Sequence, residues 1–187
     1  MTRPGGRSAR VRDAVHRAAI ELLVEGETDA AIPRIAERAG VNPTSLYRRW
    51  GSRENVLLDA AVTRLRERSP MPDTGTLRGD LLAWAARVER AMAEPDGNIL
   101  LRALIATMST TARPAEHLRA RADDLRTMLD AASARGERTP TVDEVLDYVL
   151  APLYLRALFG IPVEPGAAET LVERLLQVGL AGRSGGA

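Results

Sequence analysis

The chain has 187 residues, with 26 Arg or Lys against 25 Asp or Glu, so its formal net charge is only +1. This length fits one ordinary domain, or a small module followed by a body of about 120 residues. The sequence contains no Cys and only two His, His16 and His117, which excludes a disulfide framework and argues against a metal site. No apolar run reaches the ~18 residues of a membrane span, and no apolar stretch follows the charged start, so we expect a soluble, cytoplasmic protein.

Charge is distributed unevenly along the chain. Residues 1–68 carry 13 Arg against 9 Asp and Glu, whereas the remainder carries 13 Arg against 16 Asp and Glu. All of the cations are Arg, whose planar guanidinium suits bidentate contacts with phosphate or guanine. A basic front half favours a polyanion-binding module. A chance excess on a solvated surface explains the same charge, so both interpretations stay open at this point.

Four helices are predicted in the first part of the chain, each from apolar residues spaced three and four apart. Gly26 and Gly40 end the first two. Asn42 is a good N-cap and Pro43 fits the first helical position, so a third helix is expected there. Ser52 is expected to cap the fourth. The predicted helices are 11–25, 32–39, 43–50 and 53–68.

The rest of the chain is also predicted to be helical, because no alternating strand pattern is present. Residues 69–75 are rich in Pro and Gly and predict a loop between module and body. The run Pro95-Asp96-Gly97 predicts a turn. Thr141 with Glu144 predicts a capping box, and Pro152 inside a helical pattern predicts a kink. The predicted helices are 76–93, 98–110, 114–135, 141–159 and 165–180.

Residues 35–47, Ile-Ala-Glu-Arg-Ala-Gly-Val-Asn-Pro-Thr-Ser-Leu-Tyr, form a helix-turn-helix signature. Ala36 is small, which lets a second helix cross close by, and Gly40 allows the sharp turn between the helices. Val41 and Leu46 are placed to hold both helices in one small core. The second helix then presents its N-terminal residues to a DNA major groove. An αα-hairpin with the same Gly turn is the alternative.

The residues that follow, Leu-Tyr-Arg-Arg-Trp-Gly-Ser-Arg-Glu-Asn-Val-Leu at 46–57, resemble the TetR (tetracycline-repressor) family of transcriptional regulators. In that pattern a Tyr, an aromatic residue three positions later, a turn and a basic residue open the fourth helix. Residues 11–65 resemble the family in detail, and 148–159 resemble one of its C-terminal subgroups. The resemblance implies an all-α fold of about nine helices that works as a homodimer, with no enzyme activity and no cofactor. The implied parts are 1–52, an N-terminal arm with the DNA-binding module; 53–68, a connecting helix; 76–181, a ligand-binding and dimerisation domain; and 182–187, a disordered tail.

Roles on DNA follow by matching positions to the family pattern. The residues implied to read bases are Pro43, Thr44 and Arg48, with Arg48 able to fork onto guanine. The residues implied to contact phosphate are Thr44, Tyr47, Arg49 and Arg53. For Arg49 a simply solvated side chain is the alternative. Trp50 is expected to pack in the core, because its spacing places it with Leu46.

Two features near the N-terminus complete the expected interface. An arm with Arg3, Arg7 and Arg10 is expected to enter an adjacent minor groove, or else to be a disordered tail. The family commonly has a capping Thr at the start of the second helix, where this chain has Ala31. Ala is a poor cap, costing about 1 kcal/mol relative to Thr. Thr28 or Asp29 could substitute for the missing cap.

The body is implied by the resemblance to hold a small-molecule pocket and a dimer interface. The expected pocket residues are Trp84, Met92, Leu104, Met108, Met128, Tyr148 and Tyr154. The expected interface residues are Val145, Val149, Leu153, Leu171, Leu175 and Val178. Ordinary core packing is the alternative for both sets. The few polar residues in the first set predict a largely apolar or aromatic ligand.

The function expected from these features is a DNA-binding repressor released from a pseudo-palindromic operator by a small molecule. One alternative is a helical small-molecule-binding protein without an operator, and another is an activator of the same fold. Neither a nucleophile elbow, nor a phosphate-binding loop, nor a dinucleotide-binding turn is present. The carboxylate pair Asp123 and Asp124 consists of helix neighbours, which do not face each other.

Overall fold

The computed structural model describes residues 5–108, 115–161, 164 and 166–181. This part of the chain is all-α, as the sequence predicts, with nine helices when the interrupted eighth is counted once. They are α1 Gly5–Val24, α2 Ile32–Ala39, α3 Pro43–Trp50, α4 Arg53–Arg68, α5 Leu77–Ala93, α6 Pro95–Met108, α7 Ala115–Ala134, α8 from Val142 to Phe159, and α9 Ala167–Ala181. None of the helices in the described ranges is long and apolar enough to cross a membrane.

The helix boundaries follow local chemistry at most positions. The predicted bounds of α2 and α3 are confirmed. Thr76 caps α5, because its hydroxyl accepts a hydrogen bond from the Gly79 backbone N–H at 3.1 Å. The capping box at the start of α8 is also confirmed. There the Thr141 hydroxyl accepts from the Glu144 N–H at 3.1 Å, and the Glu144 carboxylate accepts from the Thr141 N–H at 2.6 Å.

The predicted turn at Pro95-Asp96-Gly97 is wrong, because α6 begins there. Glu94 takes an extended conformation after α5, and Pro95 then occupies the first position of α6, where its missing N–H costs nothing. The negative charge of Asp96 in the first turn interacts favourably with the positive end of the helix dipole. Gly97 allows a close approach, because an added Cβ would lie only 2.1 Å from the Ala91 carbonyl oxygen.

Helix α8, in which Pro152 predicts a kink, contains a π-helical segment directly upstream of that residue. Helix α8 is α-helical over Val142–Val145, π-helical over Leu146–Leu150 and α-helical again over Ala151–Phe159. The Ala151 N–H donates to the Leu146 carbonyl, five residues earlier. Proline has no N–H, and its ring crowds the carbonyl four residues before it, so a widened turn directly upstream relieves both problems.

The described residues fall into two compact units. Met1–Leu65 and Ile99–Pro114 make up the first, and Arg66–Asn98 and Ala115–Ala187 the second. In the first unit, buried side chains of α1 to α4 form one core, against which Ile99 and Ala103 of α6 pack. In the second unit, α5 lies against α7, α8 and α9. The fully buried side chains of the second unit include Leu81, Trp84, Leu125, Leu153 and Leu175.

Candidate nucleic-acid interface

The helix-turn-helix is built by backbone hydrogen bonds around Gly40. This residue lies in the left-handed region at φ +66°, which glycine adopts without a steric penalty. Its N–H donates to the Glu37 carbonyl at 3.1 Å, and the next N–H, of Val41, reaches back to the Ala36 carbonyl at 3.0 Å. The orphan carbonyls at the end of α2 are thereby satisfied, and the chain turns sharply into α3.

The start of α3 is fixed by its N-cap. The Asn42 side-chain oxygen accepts a hydrogen bond from the Thr44 N–H at 2.8 Å, and Pro43 occupies the first helical position. By contrast, Ala31 makes no side-chain cap for α2, and no capping bond from Thr28 or Asp29 is found among the described residues. Pro33 early in α2 already removes one orphan donor.

The arginines of α2 are held by acids of the first unit. Arg38 makes a bidentate pair with Glu25 at 2.8 and 2.7 Å, and Arg34 pairs with Glu27 at 3.0 Å and Glu37 at 3.1 Å. Hydrogen bonds from Arg38 and Arg34 lower the pKa of Glu25 and Glu27 respectively. These arginines therefore tie α2 to the chain between α1 and α2, and their charge is largely balanced locally.

The inner face of α3 packs into the core of the first unit. Leu46 is fully buried and Trp50 is buried, which confirms that Trp50 packs in the core. The Trp50 indole Nε1 donates to the Asp59 carboxylate at 2.8 Å, and the same oxygen lies 3.0 Å from Nε2 of buried His16. This His16–Asp59–Trp50 cluster joins α1, α3 and α4 and fixes the orientation of α3.

The Asp59 carboxylate is ionised more easily than usual in this cluster. Burial by itself would raise the pKa of Asp59, but hydrogen bonds from His16 and Trp50, with the charges of His16 and Arg12, outweigh it and lower the pKa below its ordinary value. His16 and Asp59 were not predicted from the sequence. They are 43 residues apart, and only the apolar spacing around His16 could have indicated a buried imidazole that needs a partner.

The outer face of α3 carries most of the side chains expected to touch DNA. Thr44, Tyr47, Arg48 and Arg49 are all exposed there, with 51% of Tyr47 accessible. Pro43 is half-buried at the start of the helix. The Arg49 guanidinium lies 5.0 Å over the Trp50 ring and donates to the Ser8 hydroxyl of α1 at 3.0 Å. These side chains form one polar, cationic surface at α3.

Arg53, at the start of α4, is held by contacts within the first unit. Its Nε donates to the Ala30 carbonyl at 3.1 Å, and its guanidinium is 3.5 Å from the Glu54 carboxylate. It also lines a cavity of about 330 Å³ within the first unit, together with Leu57 of α4 and Ile99 of α6. In the structure Arg53 therefore holds the chain before α2.

The expected N-terminal arm is corrected for two of its three residues. Arg7 and Arg10 belong to α1, which begins at Gly5, and the Arg10 Nε donates to the Gly6 carbonyl at 3.1 Å. Arg7, Ala9 and Arg10 are good helix formers, so α1 extends several residues before the apolar stripe although Gly5 and Gly6 disfavour a helix. Arg3 lies outside the described residues, as do residues 182–187.

The expected pocket residues are divided between the two units. Trp84, Met92 and Met128 are buried in the second unit, where Tyr148 is exposed and Tyr154 half-buried. Leu104 and Met108 belong to the first unit. The side chain of Met108 is not described.

A buried arginine joins two of these residues. Arg121 of α7 is 5% exposed, its guanidinium lies 5.9 Å over the Trp84 ring, and its charge acts on the Tyr154 hydroxyl, whose pKa burial raises and Arg121 partly lowers. Arg121 was not predicted from the sequence. It could have been found, because Arg121, Leu125, Met128 and Ala132 follow a helical spacing in which only Arg121 is charged.

The expected dimer residues lie mostly inside the second unit. Val145, Val149, Leu153 and Leu175 are buried, Leu171 is half-buried, and only Val178 is exposed. Val178 and three further apolar side chains lie on the outer faces of the same helices, all at least 44% exposed. These are Tyr148, Leu155 and Phe159 of α8 and Val178 of α9.

The geometry of α2, the turn and α3, with a second helical unit, defines a helix-turn-helix DNA-binding protein. Residues 16–60 match the model of bacterial regulatory proteins of the tetR family, and residues 71–175 match the tetracyclin repressor-like C-terminal domain. The chain belongs to the TetR family of transcriptional regulators.

Individual relatives agree with this family membership. The HTH-type transcriptional regulator AqdR of Rhodococcus erythropolis is 38% identical over 97 residues, which are 51% of this chain and 47% of that protein. The uncharacterized HTH-type regulator YdeS of Bacillus subtilis is 29% identical over 153 residues, 78% of this chain and 77% of that one. The crystal structure of the TetR family transcription regulator SCO0332 has a TM-score of 0.72 and 31% identity, covering 89% of this chain and 97% of that chain.

Proposed function

We propose that this chain is a homodimeric repressor, active in the bacterial cytoplasm, that a small-molecule ligand releases from a pseudo-palindromic operator. The exposed polar face of α3 carries the proposal, because it combines a cationic surface with a helix whose start and inner side are both fixed. A dimer of this kind places two copies of α3 in successive major grooves, about 34–36 Å apart.

Arg48 is assigned to base reading. It is exposed on α3, one residue beyond Tyr47, and its guanidinium can donate two parallel hydrogen bonds to guanine. Pro43 and Thr44, at the start of the same helix, are assigned to the same role.

Thr44, Tyr47, Arg49 and Arg53 are assigned to phosphate. Arg49 is already oriented by Ser8 and Trp50, so less side-chain entropy is lost when it contacts the backbone of DNA. Arg53 contributes its charge while its Nε holds Ala30.

The dimer interface is assigned to the outer faces of α8 and α9. Leu155 and Phe159 are four apart in the α-helical part of α8 and share one face, and Tyr148 is exposed upstream of them. Phe159 is 70% exposed within a single chain, and burying an aromatic side chain of this size on a partner contributes strongly to association. Because Val145, Val149, Leu153 and Leu175 are buried within the chain, these outer side chains take their place in the proposal.

Ligand control is assigned to the second unit. A ligand can shift the protein away from its DNA-binding state only by its differential affinity for the two states. The position of the operator relative to a promoter decides between repression and activation, so an activator of the same fold is the second candidate.

The roles on DNA are tested by two variants on a selected operator. Arg48→Ala should cost about 1–3 kcal/mol and relax the preference at one base pair, because it removes a base contact. Arg53→Ala should weaken binding to all sequences alike and reduce the salt slope by about 1, because it removes a phosphate contact.

Arg126→Ala is the matched control, because Arg126 is an exposed arginine of the second unit that pairs with Asp123 at 2.6 Å. Fluorescence anisotropy over a salt series, on the operator and on point-changed operators, measures all three variants. If Arg48→Ala and Arg53→Ala both bind like the parent, the assigned roles are refuted.

A further inference from the structure

Three donor groups from three helices meet in the core of the second unit. They come from Trp84 of α5, Arg121 of α7 and Tyr154 of α8. The Arg121 guanidinium is anchored on Ser69, donating to its carbonyl at 3.1 Å and to its hydroxyl at 2.7 Å. A guanidinium at this depth is costly to bury, so its position indicates a specific role.

Within this cluster, the indole N–H of Trp84 gives the strongest indication of a bound ligand. It is 0% exposed, and its Nε1 is one of the few buried polar atoms among the described residues without a hydrogen-bond partner. A buried donor without an acceptor costs about 1–3 kcal/mol, and native proteins rarely keep one without a reason. Trp50, the other tryptophan, has its indole N–H bonded to Asp59 at 2.8 Å.

The cluster presents hydrogen-bond donors to a ligand and few hydrogen-bond acceptors. A guanidinium and an indole N–H are donors only. Burial raises the pKa of Tyr154, and the neighbouring Arg121 offsets only part of this, so the hydroxyl keeps its proton and remains a donor. The matching chemical group is therefore an acceptor, and beside a cation it is favoured as an anion.

We propose that the Trp84–Arg121–Tyr154 cluster binds the carboxylate of a small molecule whose remaining body is apolar. The inward side chains around the cluster on the same helices include Leu81, Val88, Leu125 and Leu153, which suit such a body. The inference rests on the proposed function, because it takes the second unit as the ligand-binding part. The sequence predicts a largely apolar ligand, and the cluster specifies that this ligand also carries a carboxylate.

The experiment uses the full-length dimer and a panel of monocarboxylates as probes: octanoate, decanoate, benzoate, phenylacetate and naphthoate. The methyl ester and the primary alcohol of each probe are the neutral counterparts. Calorimetry gives the affinity, and a proton–nitrogen correlation spectrum follows the two indole N–H signals, which Trp84→Phe assigns. At least one carboxylate should bind about tenfold more tightly than its neutral counterparts. It should move the Trp84 signal downfield and leave the Trp50 signal in place.

Variants separate a direct contact from a structural role. Trp84→Phe removes a donor that is unpaired in the free protein, and this gain offsets part of the cost of a smaller ring in a filled core, so the variant should stay folded while carboxylate affinity falls about tenfold. Arg121→Met should abolish the preference for carboxylates over esters. Arg126→Met, on the exposed side of the same helix, should change nothing. Because Trp84→Phe does not depend on how Arg121→Met folds, the test stays decisive.

Two results would overturn the inference: esters that bind as tightly as acids, or no carboxylate of the panel moving the Trp84 signal. Operator binding without ligand is measured separately in the same preparation. If the operator is bound but the carboxylates fail, only this inference falls. If no operator is bound, the proposed function falls, whichever ligands bind the second unit.

Discussion

Replacing Asp59 with Ala should destabilise the first unit, because one carboxylate serves two buried partners. Its oxygen lies 3.0 Å from His16 Nε2 and 2.8 Å from Trp50 Nε1, and both rings are at least nine-tenths buried. Leaving one buried donor without a partner costs about 1–3 kcal/mol. The Asp59 side chain is 41% exposed, so water will replace part of the loss, and we expect a net cost of about 2 kcal/mol.

The same substitution carries a pH signature with a definite sign. The pKa of Asp59 is lowered in the folded protein from an ordinary value of 3.8. A carboxyl group with a lowered folded pKa contributes stability that is fully present above the unfolded pKa and is lost as the pH falls through the folded pKa. The difference between the parent and Asp59→Ala should therefore stay constant from neutral pH down to mildly acidic pH, and should shrink below pH 3.8.

The assay is urea unfolding followed by Trp50 fluorescence. Both proteins carry Trp84→Phe, so that Trp50 is the single reporter and lies in the first unit. Asp13→Ala is the matched control, because it removes one negative charge from the same unit, at a side chain 59% exposed and only loosely paired with Arg12 at 3.9 Å. It should stay within about 0.5 kcal/mol of the parent. If Asp59→Ala and Asp13→Ala unfold at the same urea concentration, or if the gap persists unchanged below pH 3.8, the role of the cluster is refuted.

Three further substitutions test the cap, the close approach and the dimer face. Asn42→Ala removes the acceptor that lies 2.8 Å from the Thr44 N–H and should lower the free energy of unfolding by about 1 kcal/mol, whereas Asn42→Asp should match the parent in urea unfolding. Gly97→Ala places a Cβ 2.1 Å from the Ala91 carbonyl oxygen and should cost about 1–3 kcal/mol; a calorimetric melt like that of the parent would contradict the packing described. Phe159→Glu should yield a folded monomer in sedimentation velocity, because this side chain is exposed within the chain, and a stable dimer would move the interface elsewhere.

The helix-turn-helix could be predicted closely because its determinants are local. Gly40, Asn42 and Pro43 each act within a few residues, through a left-handed turn, a side-chain cap and a fixed φ angle. Pro95 shows the limit of the same reasoning. A Pro-Asp-Gly run suits a turn, but it equally suits the first turn of a helix. In the structure the extended Glu94 separates this run from α5, and the run begins α6.

The inner and outer faces of α8 and α9 could not be told apart from their spacing. Val149 and Tyr148 both belong to periodic apolar faces, and the period does not say which face meets the core of the same chain. The clusters around Asp59 and Arg121 depend on contacts between residues far apart in sequence, such as Arg121 with Ser69, 52 residues away. In the sequence, such contacts are indicated only by polar side chains that interrupt an apolar stripe.

The central claim is that α3 reads a symmetric DNA site as part of a dimer. The most direct measurement incubates the purified protein with genomic fragments of the source bacterium at moderate salt and sequences the bound fraction. We predict enrichment of one short pseudo-palindrome whose half-sites lie about one helical turn apart, and loss of that enrichment with Arg48→Ala. A folded, dimeric protein that enriches no sequence, or an Arg48→Ala variant that selects the same site equally well, would contradict the account.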